Sequence, residues 1–418
     1  MRKFIISFIF DLVWFVSSVA GQTYTFETKT FSGLVRTLKV HAAGNWELSP
    51  IINLHGNEQV EIGFDLLGAS AEYLTYKIIH CNADWTLSQL SEVEFMSGLQ
   101  NNPLTEYSSS FNTTMDYVHY KLQVPNEDVR LQVSGNYVIQ VFSDSSDNPL
   151  LNACFSVVEP RAGIRMQVSP VTDSGSNSNY QAVSFEVTYG NEIKSPVQDL
   201  KVFVFQNNRR DNAATAVKPL SIRNGKAVYD HDSSLIFDAG NEYRSFEMVT
   251  HLHAGLNIAA VEYHSPYYHS LLTPDYVRSG QAYSFYEDIN GRVFTRNQDA
   301  YDSDTEADYQ FVHFFLPSDR PFVDEIYILS DAFHSLLDSR SRMKYSATDK
   351  AYVKTALLKE GYYNYLYVTK KEDAVRGNTT FIEGNYYQTE NEYRVMVYAR
   401  TPGMRYDRLI GVETLQSK

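Results

Sequence analysis

From about residue 50 to the end of the chain, apolar and polar residues alternate with a period of two. Val183, Phe185, Val187 and Tyr189 are separated by Ser184, Glu186 and Thr188. That spacing sends one set to each face of a pleated segment and predicts a half-buried strand. Val202-Phe203-Val204-Phe205 is unbroken and predicts a strand covered on both faces. Further strands are expected at 73–79, 137–142, 258–263, 311–316, 326–329, 362–368 and 393–398. Turn formers punctuate them: Asn224-Gly225, Asn290-Gly291, Ser134-Gly135-Asn136 and Pro402-Gly403. Helical periodicity is absent except for a short helix expected within 88–99. Many short strands at this spacing predict an all-β chain of two or three tandem, immunoglobulin-like β-sandwiches.

The first residues break the pattern. Arg2 and Lys3 precede a mostly apolar stretch, 4–20, interrupted by Asp11 and ending in Ser18-Val19-Ala20. A short positive start, an apolar run and a small-x-small ending predict a signal peptide over 1–21. The apolar run is too short, with an acid in its middle, for a comfortable span, and no later run approaches ~18 apolar residues. The chain is therefore expected not to span a membrane as a helix. Two joints divide the remainder. A Ser/Asn/Gly stretch covers 169–179, and 298–308 holds Asp299, Asp302, Asp304, Glu306 and Asp308, which reads as a solvated linker. The expected bodies are 22–160, 161–298 and 299–418. Asn-Glu-Tyr-Arg occurs at 241–244 and again at 391–394, which suggests one strand-entry corner used twice.

Composition narrows the function more than the fold. With 50 acidic against 36 basic side chains the net charge is −14, the wrong sign for holding nucleic acid through its phosphates. The 31 Tyr and 24 Phe suit pleated, half-buried surfaces. Cys81 and Cys154 leave a disulfide or two buried thiols open, the thiols being the default. Gly-x-Ser-x-Gly, nucleotide-binding glycine patterns and His-Glu-x-x-His are all absent, so no catalytic residue and no cofactor is assigned. His251 and His253 at i and i+2 would share a strand face and could hold a metal ion with His264 or His269, but exposed sheet-face histidines are the simpler reading, and no metal site is assigned. The acidic stretch lacks the spacing of a calcium loop. Asn112-Thr113-Thr114 and Asn378-Thr379-Thr380 fit a glycosylation acceptor and are treated as incidental. Residues 325–370 are similar to the immunoglobulin-like carbohydrate-binding module found beside glycogen-processing enzymes. However, 334–340 reads His-Ser-Leu-Leu-Asp-Ser-Arg, without the Trp on which a sugar would stack. A secreted carbohydrate-binding or adhesion protein is the alternative function.

The most distinctive local sequence is His80-Cys81-Asn82-Ala83-Asp84-Trp85-Thr86-Leu87-Ser88. With Tyr117-Val118-His119-Tyr120 and Gly135-Asn136-Tyr137 it resembles the first domain of the type IX secretion plug proteins of Bacteroidetes. The resemblance continues through Gly240-Asn241-Glu242-Tyr243-Arg244, Lys359-Glu360-Gly361-Tyr362-Tyr363 and Gly403-Met404-Arg405-Tyr406-Asp407. It implies a non-enzymatic protein on the periplasmic side of the outer membrane. Such a protein closes the pore of a large outer-membrane β-barrel translocon when the barrel is not exporting, as a monomer within that hetero-complex. Asp84 and Trp85 are expected to fix a structural corner, the Asp capping the turn and the Trp buried. Tyr263, Tyr267 and Tyr268 around Pro266, with Tyr276 nearby, are the candidate partner-contact residues.

Overall fold

The structure is a computed structural model describing residues 25–144, 146–173 and 175–417; the signal peptide expected at 1–21 lies outside the described residues. The all-β class holds: the chain forms antiparallel sheets stacked as sandwiches, with only single-turn helices among the described residues.

In the N-terminal sandwich, Val60, Ile62, Phe64 and Leu66 alternate inward from the strand Val60–Leu67. They meet Tyr76, Ile78, Tyr137, Ile139 and Phe155 from the facing sheet, the two-layer solution for strands with one apolar face. One sheet runs in the order Val35–Ala42, Val60–Leu67, Tyr117–Val124, Glu106–Ser109. The other contains Leu151–Val158, Gly135–Ser143 and Leu74–Cys81, with Ile51–Asn53 parallel to Leu151–Val158. The helix expected within 88–99 is one turn, Glu92–Phe95, closed by a Ser91–Glu94 capping box. It stops there because Met96–Gly98 leaves to pair with Val129–Leu131.

The division expected at 298 differs from the strand pairing. Leu200–Gln206 pairs with Glu392–Ala399, which pairs with Arg408–Gln416. These three strands face Gly163–Ser169, Tyr180–Thr188 and Lys226–Tyr229 across one core, in which Val183, Phe185 and Val187 meet Tyr393, Val395 and Val397. The middle sandwich is thus completed by the last strands of the chain. The third body is inserted into it, with a core drawn from Phe246 to Ile382. Its sheets are built around Gly361–Lys370 and around Tyr309–Pro317 with Ala351–Lys359. Period-two alternation reports which face of a strand is inside but not which sheet it joins, so insertion is invisible to it.

The strand expected to be covered on both faces is covered by two different bodies. Val202 and Val204 enter the middle core, while Phe203 and Phe205 pack outward with Ala83 and Val158 of the N-terminal sandwich. The acidic stretch is not a free linker either. Asp299 and Asp302 are exposed, but Ala307 and Asp308 are buried, and Phe111 N–H donates to the Thr305 carbonyl at 3.0 Å. The segment lies against the N-terminal sandwich and is held there.

Candidate functional site

Two buried polar junctions join the bodies, and residues of the distinctive motifs build both. At the first, strand Leu74–Cys81 ends in a tight turn where Trp85 takes a left-handed φ of 63° and the Asn82 N–H donates to the Thr86 carbonyl at 2.8 Å. Asp84 is exposed, and its carboxylate accepts from the Thr86 N–H at 3.1 Å and the Thr86 hydroxyl at 2.6 Å. Trp85 is half-buried rather than buried: it packs against the Cys81, Val138 and Cys154 cluster, and the exposed Arg210 of the middle sandwich lies 4.3 Å over its ring.

Beside this turn, the fully buried Asp407 accepts from Ala83 N–H at 3.0 Å and from Lys201 Nζ at 2.9 Å. Buried Asn136 donates to the Asn82 carbonyl at 3.0 Å and accepts from Tyr398 Oη at 2.8 Å. Gly135, at φ 139°, brings its backbone against this seam: a Cβ there would stand 2.5 Å from His80 Nε2 and 3.2 Å from the Asp407 carbonyl. Burial holds the His80 imidazole down at about 4, so it packs as a neutral ring against Tyr137 and Tyr406.

The second junction joins the N-terminal sandwich to the third body. Asp65 points away from its own core, yet its side chain is 0% exposed, because the third body covers it. It accepts from Lys359 Nζ at 2.7 Å, His119 Nδ1 at 2.7 Å and Tyr309 Oη at 2.6 Å. Lys359 also donates to the Asp304 carbonyl at 2.6 Å and lies 4.1 Å over the Tyr117 ring. Burial opposes the charge on Asp65, but the adjacent Lys359 and His119 outweigh it and hold the carboxyl below its usual range. Asp308 reaches back to accept from the backbone N–H groups of Thr114 and Met115 at 2.8 and 3.3 Å.

The repeated tetrapeptide marks where the chain enters and leaves the inserted body. Arg244 opens strand Arg244–Met248 and pairs with buried Glu383 at 3.0 Å; Glu392 opens strand Glu392–Ala399 and pairs with Arg292 at 2.7 Å. Each Asn donates to a backbone carbonyl, Asn241 to Glu383 at 2.7 Å and Asn391 to Ala239 at 2.8 Å.

Three of the four candidate contact tyrosines share one hairpin, Ile258–His264 and Tyr267–Leu272. Tyr263 is 57% exposed and lies opposite Tyr268 with ring centroids 5.0 Å apart; Tyr267 packs on Phe311. Tyr276 is 65% exposed but follows the other end of the second strand, away from the hairpin tip. His251 and His253 lie on a bend, not on a strand face. The histidines that do meet are His264, His269 and His313, with His269 Nδ1 2.8 Å from His313 Nε2. Among the described residues, no group of three or more His, Cys, Asp and Glu side chains has an arrangement that could hold a metal ion. Cys81 and Cys154 are buried free thiols in one apolar cluster with Val138, and burial pushes the Cys81 thiol far up.

Asp65 and Asp407 escaped the sequence reading because a lone acid on the outward face of a strand, as at Asp65, or in a turn segment before one, as at Asp407, looks solvated. A usable signal was present: Asp407 and Lys359 each sit inside a motif that carried the resemblance.

The fold defines a class of tandem β-sandwich protein in which one body is inserted into another and all three are joined by buried charge. Residues 35–159 match the family model described as the type 9 secretion system plug protein first domain. The whole fold is similar to the crystal structure of a hypothetical protein from Parabacteroides merdae. That protein is 44% identical, with a TM-score of 0.93 over 94% of this chain and 100% of the other. No curated protein matches. The chain belongs to the type IX secretion plug family, and its role is in type IX secretion. No helix among the described residues is long and apolar enough to cross a membrane.

Proposed function

We propose that this chain is the periplasmic plug of the type IX translocon, a non-enzymatic body that covers the inner mouth of the outer-membrane barrel when no cargo is moving. The observation that carries the reading is the plug first-domain match over 35–159. A pore wide enough for folded protein leaks solutes unless a body that does not deform closes it, and that body must also leave reversibly. Sheets packed face to face and welded by desolvated ion pairs suit the first requirement. A surface fit without covalent attachment suits the second. The net charge of −14 favours a basic rim on the barrel and speeds docking more than it tightens it.

The hairpin carrying Tyr263, Tyr267 and Tyr268 is the proposed contact, since aromatic side chains supply contact area at low cost in entropy. Tyr276 would belong to a separate part of the interface. The test is an affinity pull-down from detergent-solubilised envelope, paired with deletion of the gene. A very large outer-membrane barrel should co-purify, and the deleted strain should admit large antibiotics. Recovery of the protein alone together with an intact permeability barrier would end the proposal.

A further inference from the structure

Where the three bodies meet they border a part-open cavity of about 510 Å³, within the size range of small-molecule sites. Its walls come from strand Val35–Ala42 and Trp46 of the N-terminal sandwich, from Arg394 and Tyr398 of the middle one, and from Phe333 and strand Ala351–Lys359 of the third. The lining holds more Lys and Arg than Asp and Glu, a local reversal in a chain of net charge −14.

Most of these cations are already matched. Lys39 pairs with Asp304, Arg292 and Arg394 with Glu392, Arg340 with Asp338, and Lys359 with Asp65. Three have no carboxylate partner among the described residues. Arg36 donates to the Val35 carbonyl at 3.2 Å, Lys354 to the Ser339 carbonyl at 3.4 Å, and exposed Arg210 to the Phe26 carbonyl at 2.9 Å. Burial lowers both Arg36 and Lys354 from their usual ranges, the direction that a nearby anion would reverse. Partly desolvated cations without a bonded carboxylate share this lining with Trp46 and Phe333, and an anion with an apolar body would satisfy both wall chemistries.

We propose that this three-body cavity is a binding site for an organic anion: a carboxylate, sulfonate or phosphate on a ring-sized apolar body, held by Arg36 and Lys354 against Trp46. Such a ligand would touch the N-terminal sandwich and the third body at once and stabilise their docked arrangement by mass action. The inference does not depend on the plug reading.

The probe is 1-anilinonaphthalene-8-sulfonate, compared with the neutral N-phenyl-1-naphthylamine of the same ring system. With the purified, cooperatively folded protein, the sulfonate should give saturable one-to-one fluorescence enhancement. Its affinity should fall at least about tenfold in the Arg36→Gln/Lys354→Gln double variant, while the neutral amine binds both proteins equally. An unchanged affinity for the sulfonate in that variant would overturn the site. Should the variant fold poorly, the wild-type comparison decides: the sulfonate binding at least about tenfold tighter than the amine upholds the proposal, and equal binding sinks it.

Discussion

Replacing Asp65 with Asn isolates the ion pair that ties the N-terminal sandwich to the inserted body. The substitution keeps an acceptor for Tyr309 or His119 but leaves Lys359, whose side chain is only 1% exposed, without its countercharge. Breaking a buried pair from one side costs about 3–5 kcal/mol. The lower end applies here, because Lys359 keeps the Asp304 carbonyl at 2.6 Å and the Tyr117 ring at 4.1 Å. Native-state hydrogen exchange reads this opening locally at Thr114 and Met115, whose amides donate to Asp308 across the same junction. A loss of about 3 kcal/mol corresponds to roughly hundredfold faster exchange there. Lys359→Met should produce a loss of similar size. The double variant should cost at least about 2 kcal/mol less than the two singles added, because the uncompensated charge is gone. Costs that simply add would show that the pair is not a coupled element, and the welded-block argument would fail with it.

Other expectations follow from single features. Gly135→Ala should destabilise the protein by about 1–3 kcal/mol from backbone strain alone, plus the clash with His80, read as a lowered urea midpoint; a midpoint within error of wild type would contradict the φ of 139°. The Asp65 carboxyl is held low, so the stability it contributes is complete above about pH 4 and is lost as the pH falls further through its folded value. The second junction should therefore open in acid, with exchange at 114–115 (corrected for intrinsic rate) rising below that point and flattening in Asp65→Asn. At the crossing into the inserted body the sign reverses. Burial raises Glu242 to about 7 and Asp288 to about 6, so their contribution is complete below about pH 4 and is lost as the pH rises through 6 to 7. Corrected exchange near 240–243 should be slower at pH 5.5 than at pH 8, and less so in Glu242→Gln. Tyr263→Ser/Tyr268→Ser should abolish recovery of the barrel in the pull-down while leaving the melting temperature nearly unchanged; retained recovery would move the contact off this hairpin.

The local layer of the fold was legible because a strand with one buried face must alternate. Tyr180–Thr188 does so, Leu200–Gln206 is instead apolar on both faces at 202–205, as a strand covered on both sides should be, and every strand expected from the pattern is present. The pairing layer was not legible. Glu392–Ala399 is as apolar as a strand of the third body would be, and only its neighbours show that it belongs to the middle one. The family was readable from motifs, but the function of those motifs in the fold was not. His80, Ala83, Gly135, Lys359 and Asp407 are placed to let bodies meet, and a meeting requires two segments far apart in sequence. Asp65 with Lys359, and Ala83 with Asp407, are such pairs.

The insertion explains why these charges are buried where they are. The chain enters the third body near 240 and leaves it near 390, so that body is tethered to the middle sandwich by two strands rather than one. Two tethers suppress twisting at that joint, but they leave the N-terminal sandwich attached to the rest only through the short segment after Val158. Single-linker domains rotate unless a large interface prevents it. Here the interface has two anchors on different bodies, Asp407 on the middle one and the Lys359–Asp65 pair on the third. A rotation that preserved the Asp407 contact would break the Lys359–Asp65 pair and leave a desolvated charge unpaired at several kcal/mol, and one that preserved the pair would strip buried Asp407 of the Ala83 N–H, leaving it only Lys201 and Arg400 of its own body. Apolar contacts alone tolerate sliding, whereas a buried ion pair with fixed donors does not. The cost of those charges is thus better understood as orientation than as stability: they fix one relative placement of three sheets, the property a body needs if it must fit an opening the same way each time.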